Sequence, residues 1–481
     1  MSKFLFDQPH PYLQGNFKPM RFEGTACFLE VEGKIPNDFC GTYYLNTSCP
    51  QFPPSSAKYH WFSGDGKIHA FYFRGDGVVD YSTKWVRTRN FALEEQAQKS
   101  LFGNKKYGSQ KDIHPSVRHI KAQSANTNAI FHGGHLLALE DGNPPVKIDP
   151  WTLETLGSHH YNGALNGPMT AHPHVDPRDG SLISFGRMVG GLGSKTMTHL
   201  VVNAQGELVE NKAFEAPYCC LLHDFAISNQ HIIYPLGPAI LDPTRPKRGK
   251  PVLQWEGDRP SYLGVLSRTN KDADVRWIEM DTSFMWHTLN AFERGSRLYV
   301  DLVKYKRLPN YDKMEDVRFA KNPTDFAGHL VRWSIDLASN SNTVHEEVLD
   351  DLISEFPRVD ERVVGSEHRH SFFLCLQGKS GDSRHWDAVA HLDMKTKERK
   401  IFDPGPSSFI SEAVFAPRPG STAEGDGYIL VPVYRAHENR SDLIMLDAMD
   451  ISAGPLATIK LPFRMNPSFH GNFHPGLVQN R

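Results

Sequence analysis

The sequence predicts an all-β fold of the propeller type, and three features carry that reading: short apolar runs that stop at turn residues, a recurring apolar-Asp step where such runs end, and little helical periodicity. In chain order, Leu136–Leu139 runs into Glu-Asp-Gly-Asn-Pro, Leu182–Phe185 into Gly186, and Leu200–Val202 into Asn-Ala-Gln-Gly206, so each reads as a strand closed by turn chemistry. The pattern continues at Arg297–Leu302, Val331–Ile335, Ala388–Leu392 and Tyr428–Val433. The Asp steps fall at Asp149, Asp176, Asp336, Asp393 and Asp447, where a short carboxylate can accept nearby backbone N–H groups and help close a hairpin. One stretch breaks the pattern: Asn90–Phe102 reads as a short helix, with Asn90 as N-cap and Gly103 as its stop. Hairpins repeated at irregular spacing fit blades set around an axial channel, and no strict sequence period sets their number.

The 38 Gly and 33 Pro are scattered over 481 residues, with no long low-complexity linker, so one unit spanning 1–481 is expected. Lys and Arg total 53 against 55 Asp and Glu, a formal charge of -2, and no global field exists to draw in nucleic acid or anionic lipid. The cysteines at 27, 40, 49, 219, 220 and 375 form no C-x-x-C pair and no disulfide framework, which fits a reducing cytoplasm. The first ten residues lack the apolar core of a signal peptide, and no run approaches the ~20 apolar residues of a membrane span. A soluble cytoplasmic protein is expected, with room for peripheral membrane contact through a small apolar loop patch.

Histidine is the residue type that carries chemistry here. There are 24, so any one of them taken alone is more often a surface or core residue than a ligand. H-E-x-x-H, Cys/His finger, P-loop, dinucleotide and G-x-S-x-G signatures are all missing. What remains is a set of histidines that follow small or apolar residues: Thr170-Ala-His172-Pro, Leu221-Leu-His223-Asp-Phe, Met285-Trp-His287-Thr-Leu-Asn and Ser468-Phe-His470-Gly-Asn-Phe. On different blades, such residues can converge on the axis, where imidazole nitrogen suits iron, copper, nickel or zinc. His174, His368, His370 and His474 compete on residue chemistry alone.

These strings, in this order, resemble the carotenoid cleavage oxygenase family over almost the whole sequence. Trp61-Phe62-Ser-Gly64-Asp65-Gly66 is similar to its glycine-rich N-terminal motif, and Ala171-His172-Pro173, His223-Asp224-Phe225, His287-Thr-Leu-Asn290-Ala-Phe-Glu293 and His470-Gly471-Asn472 are similar to its four ligand motifs. The resemblance implies a seven-bladed propeller, with loops and short helices capping the active-site face, and Fe(II) on the axis held by His172, His223, His287 and His470. It also implies three outer carboxylates that brace those imidazoles by accepting their second N–H. Glu355 and Glu412 match two of the positions directly. For the third, alignment without a gap selects Asp141, and a shift of one residue would select Glu140 instead.

Within the family, Gln51-Phe-Pro-Pro54, Lys99-Ser-Leu-Phe-Gly103 and Ser124-Ala-Asn-Thr-Asn128 look closest to the branch that cleaves lignostilbenes, resveratrol and isoeugenol. That branch implies a Tyr and a Lys at the substrate's phenolic oxygen. Here Tyr107 is the available tyrosine, and the Lys position is Glu140, which can accept a hydrogen bond from a neutral phenol or instead serve the turn. Phe62 is the candidate wall residue, with Trp61, Phe284, Trp286 and Phe473 behind it. The expected activity is cleavage of an alkene C=C bond by O2 into two carbonyl fragments, on a small apolar or aromatic substrate, most closely a 4-hydroxylated phenylpropanoid or stilbene. Apocarotenoid cleavage, a non-oxidative isomerase or hydrolase, and an inactive propeller scaffold are the alternatives.

Overall fold

The computed structural model describes residues 6, 10–55, 59–103, 112–309, 326–339, 342–377 and 385–478. The predicted apolar runs lie inside the strands His135–Leu139, Leu182–Arg187, Thr196–Val202, Arg297–Tyr305, Gly328–Asp336, Ala388–Asp393 and Gly427–Arg435. Among the described residues all strand pairings are antiparallel, and they group into seven sheets of four to six strands that stand as the blades of a propeller. A small two-stranded pair, Ala239–Leu241 with Leu253–Trp255, is inserted beside the fourth blade.

The Asp steps do what their chemistry suggests. Asp149 accepts from Trp151 N and Thr152 N at 2.9 and 2.7 Å. Asp176, Asp336, Asp393 and Asp447 accept from the amides of Arg178, Ala338, Lys395 and Met449 at 2.9 to 3.0 Å. Each therefore satisfies a turn donor that would otherwise need water.

The ring is closed by strands from both ends of the sequence. Ser468–Pro475 pairs with Cys40–Cys49 and becomes the inner strand of the N-terminal blade. Glu30–Gly33 pairs with Pro455–Lys460 at the outer edge of the last blade, and Gly24–Ala26 covers the outer edge of the first. Apolar layers fill the space between neighbouring blades, as where Tyr43, Phe71 and Phe73 meet Leu430, Leu443 and Met445. No edge of the ring is left open there.

The helix differs from its expected bounds. It runs Arg89–Ala97, and Thr88, one residue upstream of the helix, accepts from Phe91 N as the cap. Asn90 is buried inside it, and Gln98, in the left-handed conformation, ends it before Gly103 is reached. Thr and Asn are both good caps, and Thr88 wins because Phe91 must face Trp85 and Cys49. No helix among the described residues is long and apolar enough to cross a membrane, and the six cysteines are all free.

Candidate metal centre

The innermost strands of the seven blades are Ser468–Pro475, Asn128–His132, His174–Val175, Ala226–Ile227, Phe284–Arg294, Ser354–Arg358 and Val414–Pro417. At one level on the axis each blade presents one residue of a common set. Four supply His172, His223, His287 and His470, and three supply Asp141, Glu355 and Glu412. Residues that follow the histidines, among them His174, Asp224, Thr288 and Asn472, line an axial cavity of about 260 Å³ on one side of this level. Residues that precede them, including Phe284, Trp286 and Phe469, stand on the other side with Phe62.

The donor nitrogens of the four histidines lie within 4.8 Å of one another. His172 Nε2 and His223 Nε2 face each other at 2.9 Å. The outer nitrogens are tied back: His223 Nδ1 donates to Asp141 Oδ2 at 2.6 Å, His470 Nδ1 to Glu412 Oε1 at 2.9 Å, and His287 Nδ1 to Glu355 Oε2. With the proton held on Nδ1, each Nε2 keeps its lone pair for the axis.

The carboxylates are themselves held. Asp141 Oδ1 accepts from Ala171 N at 3.2 Å, Glu355 from Phe356 N and Tyr305 Oη at 2.6 and 2.8 Å, and Glu412 Oε2 from Gly471 N at 2.9 Å. Burial, reinforced by the neighbouring imidazoles, holds the pKa values of His172 and His470 well below the ordinary histidine range, so both are neutral. Asp141 is pulled the other way by burial, but the His223 ring and then Arg187 outweigh it and hold its carboxyl low.

A metal ion fits these residues. His287 Nε2 is buried with no hydrogen-bond partner among the described residues, which in a protein interior costs energy unless something accepts its lone pair. A set of four imidazole nitrogens suits a borderline divalent ion such as iron.

The aromatic side of the centre is built around Phe62. Its ring lies 6.1 Å from Trp286, 5.3 Å from Phe469 and 5.9 Å from Trp61, and Trp286 stands edge-on to His223 at 5.0 Å. Asn126 holds this turn by donating Nδ2 to Phe62 O and Gly64 O at 2.9 and 2.8 Å. Phe284 joins the group through Trp286, whereas Phe473 stacks on Phe39 and borders the axial cavity on the opposite side. Glu140 is buried, and its carboxylate accepts from Ser124 N, Ser124 Oγ and Asn143 Nδ2 at 3.1, 2.6 and 2.6 Å. Tyr107 lies outside the described residues.

The chain matches the family model for retinal pigment epithelial membrane protein over residues 17–475. It is 36% identical over 475 residues to isoeugenol monooxygenase of Pseudomonas nitroreducens, covering 97% of this chain and 98% of that one. This chain belongs to the carotenoid oxygenase family. This carotenoid oxygenase is also 34% identical over 479 residues to lignostilbene-alpha,beta-dioxygenase isozyme III of Sphingomonas paucimobilis, with 96% of this chain and 96% of that one covered. Its structure superposes on the lignostilbene dioxygenase of Pseudomonas brassicacearum with a TM-score of 0.90 at 32% identity, covering 97% and 99% of the two proteins. A mutant of the Synechocystis apocarotenoid oxygenase superposes with a TM-score of 0.85 at 29% identity, covering 96% and 98%. By kinship this protein is an oxygenase.

Several residues of this carotenoid oxygenase that matter at the centre were not singled out by motif. Asn128 donates to Ala171 O at 2.8 Å and accepts from Asn472 at 3.0 Å, linking the loop of His172 to the strand of His470. Arg358 donates to Glu412 at 3.2 Å, Gly471 O at 3.3 Å and Asn472 at 3.0 Å. Asp224 accepts from Thr288 N and Oγ1 at 2.8 and 2.9 Å, pinning the blade of His223 to that of His287. Asn128, Asn472 and Asp224 lie within the motif strings and Arg358 three residues after Glu355, so their nearness to these groups was visible in the sequence, but their partners in other blades were not.

Proposed function

We propose that this protein is an Fe(II)-dependent oxygenase that cleaves the exocyclic alkene of a 4-hydroxylated phenylpropanoid or stilbene. One O2 is added across one alkene, both oxygens end in the two carbonyl products, and no external reductant is needed. The observation that carries the reading is the convergence of four imidazole nitrogens within 4.8 Å, three of them braced by carboxylates, beneath an aromatic group that includes Phe62 and Trp286. A ferrous ion held by His172, His223, His287 and His470 supplies the redox chemistry that activates dioxygen.

The protein's own residues do the rest. Asp141, Glu355 and Glu412 keep the protons on the outer nitrogens and fix the ring planes. Phe62, Trp286 and Phe469 offer flat apolar surface, so a planar conjugated substrate can be seated with its alkene over the centre and water kept out. Regiospecificity then comes from seating, because no free acid or base is required at the scissile bond. Relatives named for isoeugenol, lignostilbene and resveratrol favour the phenylpropanoid class, while Glu140 braces Ser124 and Asn143 and Tyr107 remains the candidate for the phenolic end.

Fe(II)-loaded protein is offered isoeugenol, 4-hydroxystilbene and an apocarotenal, with oxygen uptake and carbonyl products followed together. Uptake with paired aldehydes from the phenolic substrates is the expected result. Cleavage of the apocarotenal alone transfers the activity to the apocarotenoid class, and product without oxygen uptake overturns the oxygenase reading.

A further inference from the structure

Arg187 ends the strand Leu182–Arg187 in the blade of His172. The register His174 with Ile183, continued by the bond from Thr170 N to Phe185 O, places Arg187 beyond His172 on the side away from the axial cavity, the side that carries Phe62 and Trp286. Its side chain is only 12% exposed, and Nε is buried with no hydrogen-bond partner among the described residues. Among those residues its one ion-pair neighbour is Asp141, 3.8 Å from Nη2, beyond hydrogen-bond distance. Asp141 feels its charge but spends its hydrogen bonds elsewhere, since Oδ2 accepts from His223 and Oδ1 from Ala171 N.

A guanidinium cannot shed its charge, and an enclosed donor such as this Nε, left unsatisfied, costs more than an ordinary hydrogen bond returns. Such a group is stable in a folded protein when something else completes it part of the time. Its planar fork matches an oxyanion on a flat ring. Asp141 and the His223 ring stand between Arg187 and the converging nitrogens, so a substrate would reach Arg187 along the aromatic side of the centre.

We propose that Arg187 binds an oxyanion, a phenolate or a carboxylate, on the ring end of the substrate and so sets substrate choice. The proposal rests on the alkene-cleaving reading for the substrate's shape, and its test is separate from turnover. Binding of 4-hydroxystilbene, 4-carboxystilbene and 4-methoxystilbene to the Fe(II)-loaded protein is measured without oxygen, by quenching of tryptophan fluorescence. Either or both of the first two should bind at least about tenfold tighter than the methoxy compound, the worth of one charge-assisted hydrogen bond. Which of them leads identifies the oxyanion.

Arg187→Met should erase that gap and Arg187→Lys should restore part of it, both with iron content unchanged. Equal binding of all three compounds by the wild type, no binding of any, or a gap that survives Arg187→Met overturns the proposal. A role confined to steadying Asp141 would instead lower iron content and weaken all three compounds alike, which also overturns it. A binding gap without oxygen uptake would sustain Arg187 and refute the oxygenase reading, whereas uptake without a gap would do the reverse.

Discussion

The Glu355 carboxylate acts on His287 by holding the Nδ1 proton, and it is held in turn by Phe356 N and Tyr305 Oη. Burial alone would lower the His287 pKa, yet Glu355 raises it above the ordinary value, which measures how strongly the carboxylate favours a proton on that ring. Glu355→Gln keeps the shape and removes the charge. It should weaken iron binding by roughly 10–100-fold, the usual cost of losing such a partner, as read by chelator competition. An unchanged affinity would mean that Glu355 only packs. The four converging histidines and the carboxylates that hold three of them could be picked out at this scale because their types and order match a family pattern. Arg187 was not, because an arginine in Phe185-Gly186-Arg187-Met188 carries no motif, and the unsatisfied state of its Nε is a property of three dimensions.

The strands explain the glycines of the Trp61–Gly66 motif. Gly66 lies where Cys40–Cys49, Asp65–Arg74 and the segment from Ser124 meet: its N–H donates to Ser124 O at 2.8 Å, and an added Cβ would collide with the backbone carbonyl of Ala125. Only glycine fits so close an approach. Because Ala125 precedes Asn126, which holds Phe62, the contact is passed on to the aromatic wall. Gly66→Ala should therefore destabilise by about 1–3 kcal/mol, as overpacking does, and should also lower turnover. Thermal unfolding with a steady-state assay checks both, and an unaltered melting temperature would show that the backbone yields without strain. At this scale the strands and their Asp-closed turns were readable from period and turn chemistry. The helix bounds were misread because Thr88 and Asn90 are equivalent caps until Phe91 has a core to face.

Across the whole molecule, buried histidines distant from the centre tie stability to pH. His199 and His391 lie in different blades, each 4% exposed. Burial is the main cause that pushes both pKa values down to about 4, assisted by Arg268 at His199 and by His370 at His391. The folded state therefore prefers them neutral. Their contribution is complete above the unfolded value near 6.5 and is lost as pH falls through 4, at up to about 1.4 kcal/mol per pH unit for each. Denaturant unfolding between pH 7 and 4 should show this slope, and the double variant His199→Gln with His391→Gln should flatten it. A slope equal to the wild type's would assign the acid sensitivity to other groups.

The alternation of apolar runs with turn residues is enough for an all-β fold, because burial on one face and closure of a hairpin are local demands that nearby residues meet. The order of the ligand motifs likewise suffices for the family and for the four histidines. Convergence is not local. His172 and His470 stand 4.4 Å apart between ring centroids only because Ser468–Pro475 crosses back to pair with Cys40–Cys49 and shut the ring. That closure also decides which side of the centre is aromatic and which is the polar axial cavity, that Glu140 spends its carboxylate on Ser124 and Asn143, and that Arg187 is half-buried beside Asp141 with its Nε enclosed and unsatisfied among the described residues. Each depends on distances between blades, which arise from packing of the apolar layers between them and leave no periodic trace along the sequence.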